Sequence, residues 1–267
     1  MRFSTFTNLA VALTAGLVAC TVLAYGQAVG GRLNDVAKGT KAKPTPRLAD
    51  GHPDLGNGKG VWNPRTVVNL SGGGRQGPGR SPVDSKVDIP FLPWSKAYYE
   101  AAQDNLAKDD PESRCLPPGI PRMTATPFPF QIYQLPDRVM FVYEGGAHMW
   151  RIIYTDGRPH SKDPEPTYLG ESIGHWEEDT LVVDVIAFNE RTWLDQDGHP
   201  HSEKLHVIEK YSRTDELTMK YEFSIDDPGA YSAKWGNSYT IPFVPGGELM
   251  EYVCQENNED VFHMVGK

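Results

Sequence analysis

Residues 179–188 read DTLVVDVIAF, and the next apolar run, residues 204–213, reads KLHVIEKYSR. Both runs alternate with a period of two and are rich in β-branched residues, which is typical of β-strands. In the first run Leu181 and Val183 share one face, whereas Asp184 lies on the other. These runs therefore predict β-strands in which polar side chains lie among apolar neighbours.

The same pattern continues over most of the chain after residue 131. Turn residues separate four further runs, which are RVMFVYE (138–144), MWRIIYT (149–155), ELTMKYEFSI (216–225) and ELMEYVCQE (248–256). Weaker candidates lie near 131–134, 171–177 and 260–264. Because no helical pattern lies in the short connections, we exclude parallel crossovers and expect antiparallel pairing. The prediction is a mostly β domain, either a closed barrel, which has no unpaired edges, or a two-sheet sandwich.

One helix precedes these strands. The segment PWSKAYYEAAQDNLAKDD predicts a helix over 93–108, since Pro93 suits a first helical turn and Asp110-Pro111 ends the pattern. Loops rich in Pro and Gly flank it at 63–92 and 111–130, and Val61-Trp62 predicts a short strand.

The N-terminus has the pattern of an export signal. Its apolar run, LAVALTAGLVACTVLA (9–24), is shorter than a helix that spans a bilayer. Small residues favour cleavage after Ala28, whereas the lipobox-like LVAC (17–20) would leave Cys20 lipidated.

These signals divide the chain into three parts. We expect a signal peptide over 1–28, or a lipoprotein signal that ends before Cys20, followed by a flexible tether over 29–50. Residues 51–267 then form a single β-rich domain. The expected location is the periplasm or the cell exterior, or the outer membrane if a lipid on Cys20 tethers the protein.

Export also makes the cysteines informative. Apart from Cys20, the chain contains only Cys115 and Cys254. In an oxidising compartment this pair predicts one disulfide. The bridge would close a loop of about 140 residues and stabilise the fold by up to roughly 5 kcal/mol.

Composition and motifs exclude several function classes. A formal net charge of −9 argues against a nucleic-acid-binding face. The glycine-rich segment SGGGRQGPGR (71–80) lacks the Gly-Lys-Ser/Thr ending of a phosphate loop. The chain has no HExxH, paired CxxC or EF-hand loop, so the sequence identifies no cofactor.

The densest cluster of chemically active side chains is FNERTWLDQDGHPHSEKLH (188–206). We expect His201 or His206 to act as a general acid–base group whose ring Asp195 holds. Arg191 would bind an anionic group or stabilise developing negative charge. The alternative is that the same residues only staple a long hairpin.

A metal site is a less favoured reading of this loop. His199, His201 and His206 could supply ligands, but Pro200 predicts a turn rather than the extended backbone that such spacing needs. We therefore predict no metal.

A second set of side chains could contact a ligand. Arg151 lies within the predicted strand MWRIIYT on the face opposite Trp150, and tryptophans can stack on sugar or aromatic rings. The candidate ligand-binding residues are Asn189, Trp193, Arg151, His148 and Trp176.

Several segments taken together are specific: PDL…GVW, RCLPPG, WEEDTLVVDV, PHSEKLHVIEKY and EYVCQEN. Through them, over roughly residues 45–258, the chain resembles a family of uncharacterised exported bacterial proteins. It departs from the family pattern at Glu178 and by an extra Asn-Gly-Lys in PDLGNGKGVW. The resemblance implies a lipocalin-like or related β-barrel and export, and it supplies no established reaction or catalytic residue.

Two function classes follow. The favoured one is an exported protein that binds a small apolar, aromatic or sugar-like molecule in the mouth of a barrel, because binding needs only a lined cavity. The alternative is a cofactor-independent periplasmic hydrolase or lyase that uses the His/Asp/Arg cluster, which needs titratable groups that converge on one bound atom. Both classes predict a small-molecule partner.

Overall fold

The structure is a computed structural model that describes residues 42–64, 66–72, 80–81, 83, 85–256 and 258. The predicted signal peptide, the tether up to residue 41 and the candidate strand at 260–264 lie outside these ranges. Within them, none of the helices has the length and apolar character needed to cross a membrane.

Short strands and one long helix precede the main run of strands. The strands are β1 (Gly60–Trp62), β2 (Val67–Val68), β3 (Arg80–Ser81), β4 (Phe130–Leu135), β5 (Arg138–Tyr143), β6 (Trp150–Tyr154), β7 (Glu171–Glu177), β8 (Thr180–Ile186), β9 (His206–Asp215), β10 (Thr218–Asp226) and β11 (Trp235–Pro245). The helices are α1 (Pro93–Asp104), α2 (Arg122–Ala125) and α3 (Gly145–His148), with a 3₁₀ turn at Pro111–Arg114.

Nine of these strands close into a barrel in the order β1-β11-β10-β9-β8-β7-β6-β5-β4. Ring closure occurs at β1, where Trp62 pairs with Phe243 of β11 on one side and Phe130 of β4 on the other. The prediction of a mostly β fold is confirmed, and the barrel alternative is the one that the chain adopts.

Two pairs of the described strands run parallel: β2 with β3, outside the barrel, and β6 with β7, within it. The last two residues of β6, Ile153 and Tyr154, pair in parallel with Ser172 and Ile173 of β7. The exclusion of parallel crossovers was therefore wrong at this point. The connection, residues 155–170, is long enough to carry the chain back along the barrel without a helix.

The C-terminal strands also differ from the prediction. The sequence analysis did not predict β11, because it contains Gly236, Pro242 and Pro245, and Gly and Pro are disfavoured within strands. The alternating run at 248–256, by contrast, forms no strand. Because β1 already joins β11 to β4, the ring offers this run no free edge to pair with.

Aromatic side chains pack inside the barrel. Tyr211 lies 5.1 Å from Phe141 and 5.0 Å from Tyr221, which lies 5.2 Å from Tyr239, measured between ring centroids. All four rings are buried. The interior is therefore filled by side chains, as in small barrels.

The segments outside the barrel are tied to it. Cys115 and Cys254 form the predicted disulfide, with Cα atoms 5.6 Å apart. The predicted helix at 93–108 is confirmed as α1, which ends at Asp104, and Trp94 at its start donates to the Gly229 carbonyl. Part of the predicted tether also contacts the barrel, since Arg47 pairs with Asp179.

Candidate functional site

A buried ion pair crosses the barrel interior. Arg151 of β6 points inwards and donates from Nη2 to Glu209 Oε2 of β9 at 2.5 Å, and from Nε to Ser172 Oγ at 2.9 Å. The hydroxyl groups of Tyr211 and Tyr221 donate to the other Glu209 oxygen at 2.7 and 2.8 Å. Both oxygens of the carboxylate are thus bonded.

Arg151 is less completely bonded than its partner. Burial alone would lower the pKa of Arg151, but Glu209 raises it above the ordinary value, so the guanidinium stays charged. Its Nη1 makes no hydrogen bond of normal geometry among the described residues, although the guanidinium interacts with the buried Tyr143 hydroxyl and opposes the rise in the pKa of Tyr143 that burial causes. A buried donor left unbonded costs about 1–3 kcal/mol, so this end of Arg151 is suited to an acceptor atom.

A cleft of about 620 Å³ opens where β6 and β7 share only two residue pairs. We call it the strand cleft. Arg151 lines it together with Met149, Trp150, Ile152, Tyr154, Ser161, Asp163, Pro164, Glu165, Thr167, Tyr168, Leu169, Gly170, Glu171 and Ser172. The volume lies within the range of small-molecule pockets.

A polar cluster holds the 155–170 connection beside this cleft. His160 Nδ1 lies 2.8 Å from Glu171 Oε2, and its Nε2 lies 3.1 Å from Asp184 Oδ1. Ser161 also donates to Glu171 through its backbone and its hydroxyl. Burial would raise the pKa of Glu171, but the bonds from Ser161 and His160 lower it below the ordinary value. Glu171 is therefore a fixed anion in the cleft wall.

The 188–206 segment forms a second, smaller cleft against α1. Its volume is about 300 Å³, and we call it the loop cleft. It is lined by Trp94, Tyr98, Pro111, Glu190, Arg191, Thr192, Trp193, Pro200 and His201. Three residues predicted from sequence, Arg191, Trp193 and His201, therefore meet at one place.

His201 has a defined protonation pattern. Its Nδ1 lies 3.1 Å from the Ser202 carbonyl oxygen, which can only accept, so Nδ1 is the donor. Burial lowers the pKa of His201 below its ordinary value, although Asp227 and Glu190 oppose the shift. The ring is thus neutral, and Nε2 accepts from the Thr192 hydroxyl at 2.8 Å.

Asp195 pairs with His199 instead of with His201 or His206. His199 Nδ1 lies 2.8 Å from both Asp195 oxygens, and its ring stacks 4.4 Å from Tyr99 of α1. Burial would raise the pKa of Asp195, but His199 and backbone N–H groups lower it below the ordinary value. This pair ties the loop to itself, and the stacking ties it to α1.

The other predicted residues do not line the loop cleft. His206 faces outwards and lies 2.8 Å from Asp184 Oδ1, and Asn189 accepts from the Arg191 backbone N–H. Trp176 stacks on His52 with centroids 4.6 Å apart. The side chain of His148 lies outside the described part of the structure. The predicted set therefore does not form one site.

The sequence analysis did not identify Glu209 and Thr192, which hydrogen-bond to the predicted site residues Arg151 and His201. Glu209 follows Val207 on the apolar face of β9, and Arg151 lies on the buried face of β6. Opposite charges on two buried faces indicate an ion pair, so this signal was available. Thr192 carried no such signal, because only the fold places its hydroxyl on His201.

The three histidines of the metal alternative, His199, His201 and His206, each have a different partner. Among the described side chains, no group of three or more His, Cys, Asp and Glu is arranged to hold a metal ion. No protein-family model, curated protein or solved structure matches the chain.

Proposed function

We propose that this chain is an exported β-barrel that binds a small molecule in the strand cleft. The ligand has a ring or apolar face and at least one hydrogen-bond acceptor. The observation that carries the proposal is Arg151, a buried residue that lines the cleft and whose Nη1 makes no hydrogen bond of normal geometry among the described residues. An acceptor on the ligand would satisfy a donor that the described protein leaves unsatisfied.

The walls of the cleft favour a ring. Trp150 is 61% exposed, and Tyr154 and Tyr168 line the same cleft. An aromatic side chain left this accessible beside a cleft offers a face on which a sugar-like or aromatic ring can pack.

The charges of the cleft favour a neutral ligand. Asp163, Glu165 and Glu171 line it, whereas Arg151, the one cation among its described lining residues, is already paired with Glu209. These carboxylates repel an anion but accept hydrogen bonds from hydroxyl groups. A neutral ring that carries hydroxyl groups fits both features.

Export is the second part of the proposal. The apolar N-terminal run supports it, and the Cys115–Cys254 disulfide fits an oxidising compartment.

The test is a thermal-shift screen of the purified protein, followed by calorimetry on compounds that stabilise it. The panel contains methyl glycosides, disaccharides, neutral hydroxyaromatics and the carboxylates of the same rings. Neutral hydroxylated rings should raise the melting temperature, and their carboxylates should not.

Two variants locate the bound compound. Trp150→Ala should weaken binding about tenfold, equivalent to about 1.4 kcal/mol. Arg151→Lys keeps a charge for Glu209 and removes the Nη1 donor, so it should also weaken binding. Trp94→Ala, at an exposed tryptophan in the loop cleft, is the matched control and should bind like the wild type. Loss of binding in Trp94→Ala with retention in Trp150→Ala would contradict the proposal.

A further inference from the structure

The Thr192–His201 pair in the loop cleft has the geometry of a nucleophile and its base. The Thr192 hydroxyl donates its proton to His201 Nε2 at 2.8 Å. The opposite ring nitrogen donates to the Ser202 carbonyl, which fixes the tautomer that leaves Nε2 able to accept. A nucleophilic hydroxyl is activated when it is hydrogen-bonded to a base and a third group orients that base.

Hydrogen bonds fix the residues on both sides of His201, the proposed base. Ser202 is bonded to the buried Asp227 through its backbone N–H and its hydroxyl, each at 2.6 Å. The Tyr231 hydroxyl donates to the Pro200 carbonyl at 2.6 Å. The residues before and after His201 are thus anchored to the 227–231 turn, so the ring is positioned before any substrate arrives.

The pair is reached through an aromatic cleft. Thr192 and His201 both line the loop cleft, and the exposed Trp94 and Tyr98 of α1 line it as well. Arg191 and Glu190 line the same cleft, so both a positive and a negative side chain border it. The cleft thus combines an apolar surface for a small substrate with a cation for developing negative charge.

We infer that the loop cleft is a second site, which hydrolyses small esters with Thr192 as nucleophile and His201 as general base. Thr192 Oγ1 attacks the ester carbonyl carbon while its proton passes to His201 Nε2. The bond from this carbon to the leaving oxygen then breaks, and the leaving alcohol takes the proton from Nε2. Water hydrolyses the acyl-Thr192 by the same proton transfers and releases the carboxylic acid. This inference does not depend on the strand cleft.

The first test uses p-nitrophenyl acetate as the substrate. Thr192→Val keeps the shape and removes the hydroxyl, and His201→Gln removes the base. Each should lower the rate at least about a hundredfold, as for loss of a general base, whereas Thr192→Ser should retain turnover. The matched control is His175→Gln, because His175 is an exposed imidazole that could cleave this ester nonspecifically. It should hydrolyse the ester at the wild-type rate.

The second test uses the wild-type protein alone, and the result of the first test remains a further check. The wild-type protein is treated with diisopropyl fluorophosphate and digested, and the peptide that contains Thr192 is examined by mass spectrometry. The inference requires an adduct on Thr192. It is overturned by an unlabelled Thr192, or by a Thr192→Val protein that folds and hydrolyses the ester at the wild-type rate.

Discussion

The strand cleft and the loop cleft differ in how their polar groups are satisfied. The strand cleft is lined in part by Arg151, whose Nη1 makes no hydrogen bond of normal geometry among the described residues. In the loop cleft Thr192 and His201 bond to each other. A buried donor without a hydrogen bond favours ligand binding, because an acceptor on the ligand removes the free-energy cost of leaving that donor unbonded. A bonded hydroxyl–imidazole pair gains nothing from binding itself, but it is prepared to move a proton.

The supports of the two clefts differ as well. The strand cleft depends on Arg151 and Glu209, which join β6 to β9 across the barrel interior. The loop cleft depends on the Asp195–His199 pair within the 188–206 segment and on hydrogen bonds from this segment to the 227–231 turn, outside the barrel interior. Damage to the strand cleft should therefore cost more stability than damage to the loop cleft.

The largest expected loss of stability comes from removing the disulfide, which lines neither cleft. Replacing Cys115 and Cys254 together by Ser should lower the free energy of unfolding by up to about 5 kcal/mol, because the bridge closes a long loop. Chemical denaturation measures this loss. Ligand response and ester hydrolysis of the folded variant should not change. An unaltered denaturation midpoint would contradict the expectation.

The next effect tests the support of the strand cleft. Glu209→Gln leaves Arg151 as an uncompensated buried charge and should lower the free energy of unfolding by about 3–5 kcal/mol. The matched control is Glu222→Gln, since Glu222 is an exposed partner of Lys220, and it should cost at most about 1 kcal/mol. Equal losses in the two variants would show that the interior pair contributes no more than a surface pair.

Asp195→Asn tests the support of the loop cleft. The amide oxygen still accepts from backbone N–H groups, so the expected loss is smaller, about 1–3 kcal/mol. Because the folded-state pKa of Asp195 is lowered, its contribution is complete above about pH 4 and is lost as the pH falls below that value. Acid titration of unfolding should therefore be shallower in the variant. If Asp195→Asn lowered the free energy of unfolding more than Glu209→Gln does, this would contradict the prediction that damage to the strand cleft costs more stability than damage to the loop cleft.

The smallest effect concerns the wall of the strand cleft. Glu171→Gln removes an acceptor that Ser161 and His160 use, and because Glu171 is partly solvated we expect a loss of only about 0.5 kcal/mol. The folded-state pKa of Glu171 is lowered, so this contribution is present above about pH 4.3 and disappears on acidification. Denaturation at pH 7 and pH 3 checks it. A stability difference that persists at pH 3 would contradict the assignment.

The sequence predicted a mostly β fold, with a barrel as one of two alternatives, because strand alternation is a local property. It failed at β11, where Pro242 and Gly236 mask a strand that tertiary pairing imposes. It also failed at 248–256, where alternation exists but no strand edge is free. Pairing across the ring decides these cases, and no local pattern contains that information.

The site was less predictable than the fold. Proximity in sequence suggested that Asp195 would hold His201, whereas the loop turns so that Asp195 holds His199. The partner of His201 is Thr192, and that of Arg151 is the distant Glu209. Composition identifies which segment is rich in polar groups, but only the folded backbone decides which of them meet.

The most direct test of ligand binding in the strand cleft is a crystal structure of the protein with the tightest compound from the neutral panel. The account predicts a ring packed on Trp150 and an acceptor atom about 3 Å from Arg151 Nη1. A compound bound elsewhere, with Arg151 Nη1 bonded only to protein side chains, would contradict it.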